Sequence, residues 1–559
     1  MTTTIPRSHR PLALAIALAL AVGTTHAATI TVNSDQDTTA SDGICTLREA
    51  IEAVNQGNAS SSGCVNTGAA FGTNDTIQFD ASLLGHLIVI GGSQLAISKS
   101  MSIVGTGQTI QAGGNLRVIQ VLSGANLDLS TVTISGGGTS AGGAGIAVSE
   151  ANATLAYVTV SGNSGSGGGG IYAYHSTLTL TECTLSGNTA TYAGGGLLAS
   201  HGSVVTLTST TVSGNSADIG AGVAVSNSDS RLTLDQSALI GNSATSAGGG
   251  ATAEHGATLA LSGGFVTSNS AGNNGGGVYA VYNSQLTLDN VLLADNSADY
   301  GGGAWVNSGD TIALNRSTVS GNSAGKFANG VGGLLFSTLT LVDSTVVGNI
   351  AASGSIVSGG AIGFGNYSTV RVVNSTISGN TATYGGGLEI SSHSTLNLVN
   401  ATVTGNDGYG GGIDISDHTN AFVDNTVLSD NQATGRPSGR DARTDATSTI
   451  SAYYSLLGTG PTLDASPNSN ADHFNHFTNI PLLNSLAGNG GPTQTMAPMD
   501  GSPIIDNGSI ARAVSASGDL LNFDQRGIGY ARTLSGKVDI GAYQHQGDRI
   551  FADGFEAQP

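Results

Sequence analysis

Residues 169–194 read GGIYAYHSTLTLTECTLSGNTATYAG, and close variants of this stretch follow one another along the chain. Each unit begins with a glycine cluster, continues through an apolar strand, a polar turn and a strand of the type STLTL, and ends a third strand in SGN. The asparagine recurs every 25 to 31 residues through eleven units. These asparagines are Asn163, Asn188, Asn215, Asn242, Asn269, Asn296, Asn322, Asn349, Asn380, Asn406 and Asn431. Such a period is typical of a solenoid, in which each unit packs against its neighbours.

Three short strands in about 26 residues predict one coil of a right-handed parallel β-helix. Strand alternation assigns the inward positions of two such coils. These are Ile171, Ala173, Leu178, Leu180 and Leu185, and Val278, Ala280, Leu286, Leu288 and Leu293. Coils stack at about 4.8 Å, so each asparagine amide can hydrogen-bond to the amides above and below it. We predict an all-β fold of about 14 coils of about 26 residues, with the asparagines as an internal row.

The composition argues against several kinds of partner. The 559 residues include 85 glycines, only 10% are charged, and the formal net charge is -20. Affinity for nucleic acid is carried by Lys and Arg, and so is affinity for an anionic membrane surface. Neither partner is therefore expected. The acidity is compatible with cations or neutral glycans, and we predict a monomer without a cofactor.

The first 27 residues have the features of a secretory signal peptide. Arg7 and Arg10 precede an apolar run at 11–22, and small residues at 25–27 suit signal peptidase. The apolar run is too short to span a bilayer. No later stretch is long and apolar enough to form a membrane-spanning helix, so export without such an anchor is predicted.

Three cysteines occur in the chain. Cys45 and Cys64 bracket a short segment and could pair in an oxidising compartment. Cys183 takes the place that Ser317 and Ser344 hold in other repeats, and it is expected to be a small buried residue.

A short amphipathic helix is predicted near the N-terminus. Thr46 and Glu49 have the spacing of a capping box, and Leu47, Ile51 and Val54 recur at helical spacing. The helix would begin near Leu47. Because the terminal coil of a solenoid exposes its core and an unpaired edge, we expect this helix to plug the N-terminal end.

Three parts of the chain resemble families of exported bacterial proteins. CTLREA at 45–50 and DTIQFD at 75–80 resemble the CSLREA motif and the strand after it, with Thr46 in place of Ser. The phrase GG(G/A)(I/V) with a downstream GN resembles the repeats of polymorphic outer-membrane proteins. The C-terminal segment resembles the choice-of-anchor Q module at 489–493, 501–503, Asp506, 524–527 and 539–543.

These resemblances imply an exported β-helix of the pectin-lyase-like fold, outside the cell or on the outer-membrane surface of a Gram-negative bacterium. They divide the chain into a signal peptide at 1–27, a CSLREA-type cap at 28–85, β-helix repeats at 86–435, C-terminal coils with the choice-of-anchor Q-like module at 436–547, and a tail at 548–559. The module is expected to cap the C-terminal end. Asp524, Arg526 and Asp539 would form its internal ion-pair network.

Catalytic signatures are scarce in the repeats, where Arg and Lys are almost absent. One acidic pair remains. Glu389 and Asp414 occupy the same outward slot on adjacent coils, and His393 and His418 share the turn that follows. The pair could act as the two carboxylates that glycoside hydrolysis requires, contribute to a weak metal site, or be solvated surface groups. We predict no metal centre, and these two carboxylates are the candidate catalytic residues.

A second surface carries aromatic residues. The outward slot after the glycines holds Tyr172, Tyr279 and Trp305, with Tyr282 and Tyr300 nearby. Flat aromatic faces one coil apart suit sugar rings or a protein partner, and ordinary stacking between coils is the alternative. Tyr172, Tyr279 and Trp305 are therefore the candidate ligand-binding residues.

Together these features predict a secreted or cell-surface β-helix protein that binds or adheres without catalysis. Its partner would be an extracellular glycan or a surface protein. The alternative is a polysaccharide lyase or glycoside hydrolase of the pectin-lyase-like fold, acting through Glu389 and Asp414.

Overall fold

The computed structural model describes residues 27–59, 62–68, 70–72, 74–352, 358–433, 440–458 and 474–546. Within these residues the chain winds into an all-β, right-handed parallel solenoid of about 14 turns with about 26 residues per turn, which confirms the predicted fold class. The predicted signal peptide, apart from Ala27, and the predicted tail at 548–559 lie outside the described residues.

Three long sheets form the wall of the solenoid in the described part of the chain. The strands of sheet A are Ala28–Val32, Asn66–Gly68, Asp75–Phe79, Met101–Val104, Asn126–Ser130, Asn152–Ala156, Thr177–Thr181, Val204–Thr208, Arg231–Asp235, Thr258–Ser262, Gln285–Asp289, Thr311–Asn315, Thr338–Val342, Thr369–Val373, Thr395–Val399, Asn420–Asp424 and Thr449–Tyr453. The strands of sheet B are Leu87–Ile90, Thr109–Ala112, Thr133–Ser135, Thr159–Ser161, Thr184–Ser186, Thr211–Ser213, Ala238–Ile240, Phe265–Thr267, Leu292–Ala294, Thr318–Ser320, Thr345–Val347, Thr376–Ser378, Thr402–Thr404, Val427–Leu428, Leu456–Leu457 and His476–Phe477. The strands of sheet C are Leu95–Ile97, Ile119–Val121, Ile146–Ser149, Ile171–Tyr174, Leu197–Ser200, Val223–Ser226, Ala251–Glu254, Val278–Val281, Ala304–Asn307, Val331–Leu334, Ile362–Phe364, Leu388–Ile390, Ile413–Ile415 and Ala442–Thr444.

The middle coils contain a fourth strand in addition to the three that the sequence predicts. It follows the corner asparagine and precedes the glycine cluster. These strands form sheet D, which comprises Ser164–Gly167, Thr189–Ala193, Ser216–Ile219, Ser243–Ala247, Ser270–Ala271, Ser297–Tyr300 and Ser323–Phe327. Two later strands, Thr381–Tyr384 and Asp407–Tyr409, form sheet E in the same part of the coil. The prediction of three strands per coil was wrong here, because a run of Ser, Thr and Ala has no apolar alternation to reveal a strand.

The core lies inside the tube, and its residues are those that strand alternation assigns. Ile171, Leu178 and Leu185 are fully buried in one coil, and Val278 and Leu288 in another. All belong to one continuous cluster that runs from Ile30 to Leu457. Pairing is parallel and in register between successive coils, so like residues stack on like residues.

The predicted row of asparagines is present and is buried throughout. Asn188 Nδ2 donates to Asn215 Oδ1 at 3.0 Å and to the carbonyl oxygen of Val160 at 2.9 Å, while the Asn188 backbone N–H donates to the same Oδ1 at 2.9 Å. The pattern repeats from coil to coil until Asn431, whose amide donates to Asp441 Oδ1 at 2.9 Å. An unmade buried hydrogen bond costs about 1–3 kcal/mol, so each asparagine fixes the register of two coils.

A helix over Leu47–Gln56 packs at the N-terminal end, with Thr46 and Glu49 in the predicted capping box. Two short 3-10 turns occur at Ala81–Leu83 and Ile510–Arg512. The structure joins Cys45 to Cys64 by a disulfide, and Cys183 is buried. None of the helices in the described part of the chain has the length and apolar character that a membrane crossing requires.

The C-terminal segment does not simply close the end of the tube, as we had expected of a cap. After His476–Phe477 the chain turns back along the outside of sheet B. Asn425 Nδ2 donates to the carbonyl oxygen of Ser509 at 2.8 Å, and Asn374 Nδ2 donates to that of Phe523 at 2.8 Å. Thr493 Oγ1 donates to the carbonyl oxygen of Asp343 at 2.9 Å, one coil further back. The segment therefore straps several coils together from the side.

The ionic centre of this strap differs in part from the predicted network. Asp524 and Arg526 form a buried pair at 2.6 Å, but Asp539 accepts hydrogen bonds from the backbone N–H groups of Asp506 and His545. The side chain of Arg532 is fully buried, and it donates to the carbonyl oxygen of Ala542 at 2.6 Å and to Asn374 Oδ1 at 3.1 Å. Arg532 therefore ties the strap to the corner of a coil.

Candidate functional site

All of the predicted site residues lie in one row on the outer face of sheet C. The row is formed by the second residue of each strand, which points away from the tube. Its members are Ala96, Gln120, Ala147, Tyr172, Leu198, Ala224, Thr252, Tyr279, Trp305, Gly332, Gly363, Glu389, Asp414 and Arg443. The parallel register thus places Tyr279 beside Trp305 and Glu389 beside Asp414, as the spacing predicted.

The middle of this row is covered, so the expected exposed aromatic surface is wrong for two of its three members. Trp305 is 3% exposed and Tyr279 is 9% exposed. Residues of sheet D pack over them from outside. The Tyr300 and Phe327 rings lie 5.5 Å and 6.0 Å from the Trp305 ring, centroid to centroid. This second apolar cluster is separate from the core of the tube, and the rings of Tyr279 and Trp305 are buried within it.

A small residue lies under the indole ring of Trp305. A Cβ atom built on Gly332, the next member of the row, would lie 2.6 Å from Trp305 Cζ3. Any larger residue at this position would force the indole away from Phe327. The glycine therefore makes room for the ring, and the contact shows that Trp305 is a packing residue.

The outward row of sheet C and the last residues of the sheet D strands face each other, and we call the space between them the seam. The side chains that fill the seam differ in size along the solenoid. The last residues of six of the seven sheet D strands are Gly167, Ala193, Ile219, Ala247, Tyr300 and Phe327 in chain order, and Asn274 takes this position in the coil of Ser270–Ala271. The large rings fill the seam in the later coils. The small residues of the first coils leave it hollow, and a cavity of about 310 Å³ opens there beside Tyr172.

Tyr172 and Leu198 form the floor of this cavity, and Tyr192 of sheet D forms a wall. Ser200 and Glu254, the last residues of their sheet C strands, also line the cavity. The Tyr192 ring is 54% exposed, so one aromatic face borders both the cavity and solvent. Tyr172 is the one predicted ligand-binding residue that the structure places on an open surface.

The polar groups of the cavity converge on its inner side. Tyr172 Oη and Ser200 Oγ lie 3.1 Å apart, and His201 Nδ1 lies 3.0 Å from the same Oγ. Glu254 is 8% exposed, and no described residue donates a hydrogen bond to its carboxylate. Burial raises the pKa of Glu254, with a smaller opposing effect of His255. The Glu254 charge in turn raises the pKa of Tyr192.

The acidic pair sits in the last part of the same row, and it is not a flat solvated surface. Asp414 is 1% exposed, and its Oδ2 accepts a hydrogen bond of 2.5 Å from Arg443. Asp414 Oδ1 is buried and has no hydrogen-bond partner among the described residues. Glu389 is half-buried and accepts a hydrogen bond from the backbone N–H of Gly359. Arg443 also lies over the Tyr409 ring, 4.5 Å from its centroid.

Burial dominates the protonation of both carboxyl groups. It raises the pKa of Glu389 to about 7, and the Asp414 charge adds to the effect while the Gly359 N–H opposes it. It raises the pKa of Asp414 to about 6 against the influence of Arg443. Perturbed carboxyl groups of this kind are found at active sites and also in structural networks.

Several residues of these two sites were missed in the sequence. Tyr192 lies on the fourth strand of its coil, which the three-strand prediction does not include. Glu254 and Ser200 gave no signal, because the cavity depends on small residues in a different sheet. Arg443 lies after the predicted β-helix repeats at 86–435, although its pairing with Asp414 places it in sheet C. The distance of 29 residues between them hid this register.

A comparison with known protein families supports the fold. The family model called "right handed beta helix region" matches residues 57–239 and 170–361 of the sequence. Together these make up more than half of the chain. Among solved structures, the crystal structure of pectate lyase Pel9A aligns over 92% of this chain and 96% of its own, at 10% identity and a TM-score of 0.24. That likeness is too weak to say anything about activity. No curated protein matches the sequence.

Proposed function

Because the chain belongs to the right-handed β-helix family, its tube is a scaffold whose function depends on outward residues, and we propose that it binds a glycan at the cavity beside Tyr172. The observation that carries this proposal is the cavity itself, with two tyrosine rings and an inner row of polar groups. Sugar recognition combines these elements, since the apolar face of a sugar stacks on an aromatic ring while its hydroxyls bond to polar side chains.

The charge of the site favours a neutral glycan. Glu254 faces the cavity without a hydrogen-bonding partner among the described residues, and the chain carries a formal net charge of -20. Sugar hydroxyls can donate to such a carboxylate, whereas a uronic acid would bring a second negative charge beside it. A cavity of about 310 Å³ lies at the lower end of the range for small-molecule sites. It suits the end of an oligosaccharide chain.

We further propose that the protein is exported and acts outside the cell or on its surface. The n-region and apolar run at 1–27 support this, and so do the resemblances at 45–50 and 489–543. The Cys45–Cys64 disulfide is consistent with an oxidising compartment.

The binding proposal is tested on a glycan array with the chain from Ala28 onward, followed by calorimetry with the best neutral oligosaccharide. Tyr192→Ala removes the aromatic wall of the site, and Glu254→Gln removes the carboxylate that accepts hydrogen bonds from the sugar. Each should weaken binding at least about tenfold. Tyr157→Ala is the matched control, since Tyr157 is a similarly exposed tyrosine outside the cavity. If all three variants bind the oligosaccharide as tightly as the parent chain does, the cavity is not the binding site.

A second candidate function is polysaccharide cleavage at Glu389 and Asp414. The specific observation in its favour is their register on adjacent strands, since a separation of about 4.8 Å is near that of the two carboxylates of retaining glycosidases. The burial of Asp414 and its bond to Arg443 weigh against it. Incubation with neutral and acidic polysaccharides, assayed for new reducing ends and unsaturated products, tests this function. Activity that Glu389→Gln abolishes would establish it.

A further inference from the structure

A row of stacked rings occupies the exposed turn between sheets C and A in the late coils. Phe336 and Tyr367 stack at 5.3 Å, Tyr367 and His393 at 4.9 Å, and His393 and His418 at 4.8 Å, with interplanar angles of 14°, 24° and 8°. The parallel register sets this geometry, because each residue follows the same strand one coil later. The backbone N–H of His393 donates to the backbone carbonyl oxygen of Asp417 at 2.8 Å. This hydrogen bond fixes His393 and His418 in adjacent coils at the end of the row.

Stacking determines what these rings can bind. Their faces are occupied by one another, so a sugar ring has no face to lie on within the row. Their edges remain in solvent, and the edge of an imidazole carries its two nitrogen atoms. Asp417 precedes His418 in the same turn, and its Oδ1 lies 3.1 Å from His418 Nδ1. Two imidazole edges and one carboxylate therefore meet at one exposed point.

We propose that His393, Asp417 and His418 bind a divalent transition-metal ion of the zinc and copper class. One donor atom from each residue lies within 4.8 Å of the others, and among the described residues this is the one group of three such donors. Ligand bonds of about 2.0–2.2 Å require donors roughly 3 Å apart, so the side chains must close by about 1–2 Å. All three side chains are exposed.

The donor set selects the class of ion. Imidazole and carboxylate ligands suit zinc, copper and nickel, whereas calcium and magnesium prefer oxygen donors alone. Three protein ligands leave at least one coordination position open to solvent, as in sites that bind a further ligand. This site lies in the coils after the Tyr172 cavity and does not depend on the proposed glycan binding.

The test is zinc binding by the full chain, produced without a histidine tag and treated with chelator before use. Calorimetry with Zn²⁺ should show one site per chain, and Ca²⁺ under the same conditions should show none. His393→Asn and His418→Asn should each abolish this binding. Asparagine tolerates the left-handed backbone at these positions, where φ is 62° and 61°, and Asn283 already holds φ 61° in a comparable turn. Circular dichroism checks that the variants fold.

His255→Asn is the matched control, because His255 is a turn histidine that stacks on Tyr282 without a second imidazole. Its variant should bind zinc like the parent chain. The proposal is overturned if the parent chain binds no zinc, or if His393→Asn binds zinc as the parent does. The proposal is also overturned if His201→Asn, and not His393→Asn, abolishes zinc binding. The His201 and His175 rings lie 5.8 Å apart, centroid to centroid, and the ring contacts of His201 include no carboxylate.

Discussion

The seam between sheets C and D is hollow beside Tyr172 and filled beside Trp305, although parallel strands of the same two sheets form it in both regions. The difference lies in the residues that sheet D contributes, which are Gly167 and Ala193 in the first region and Tyr300 and Phe327 in the second. In the first region a tyrosine remains half-exposed at a cavity. In the second the single tryptophan is buried. The size of one side chain per coil thus decides whether an aromatic residue belongs to a site or to a core.

The largest effect is expected from emptying the filled region. Trp305→Ala should destabilise the protein by about 3–5 kcal/mol, the usual range for removing a buried large aromatic side chain. The free energy of unfolding is measured by urea denaturation, followed by circular dichroism. Tyr192→Ala, which truncates an aromatic residue in the hollow region, is the control and should change the stability by less than about 1 kcal/mol. Similar losses in the two variants would remove the distinction between the regions.

A pH-dependent effect is expected where the row ends in charged residues. The folded-state pKa of Glu389 is raised to about 7, and its unfolded value is near 4.3. Folding therefore retains a proton on Glu389 that the unfolded chain loses as the pH rises between these values. The contribution of protonated Glu389 to the free energy of unfolding is complete below about pH 4 and is lost by about pH 7.

Glu389→Gln should remove this dependence, because the amide does not titrate and can still accept from the Gly359 N–H. The stability of the parent chain relative to the variant should fall by roughly 2 kcal/mol between pH 4 and pH 7.5, after allowance for the partial exposure of the group. Urea denaturation of both proteins across this range measures the difference. A constant difference would show that folding does not change the pKa of Glu389.

The smallest change in stability is expected from filling the hollow region. Ala193→Phe gives sheet D the residue that it has at Phe327, and the cavity of about 310 Å³ can accept the ring. The stability should change by less than about 1 kcal/mol, whereas glycan binding should disappear. Thermal unfolding and the calorimetric binding assay measure the two outcomes. Retained affinity would place the glycan elsewhere on the protein.

The sequence identified the rows but not what covers them. Alternation placed Tyr279, Trp305, Glu389 and Asp414 correctly on the outside of the tube. It did not reveal that sheet D and Arg443 close over them. Strand periodicity distinguishes the two faces of one sheet, whereas a second layer comes from other parts of the coil whose Ser, Thr and Ala residues have no comparable pattern.

The sequence by itself determined the solenoid, its period, its inward residues and the asparagine row from Asn163 to Asn431. These follow from local rules, because each coil repeats the contacts of the last. Only the tertiary structure decided which outward residues meet solvent, where the cavity opens and that the C-terminal strap lies along sheet B. Those features depend on the volumes of side chains from separate strands and on long-range contacts such as that of Arg532 with Asn374, which no repeat encodes.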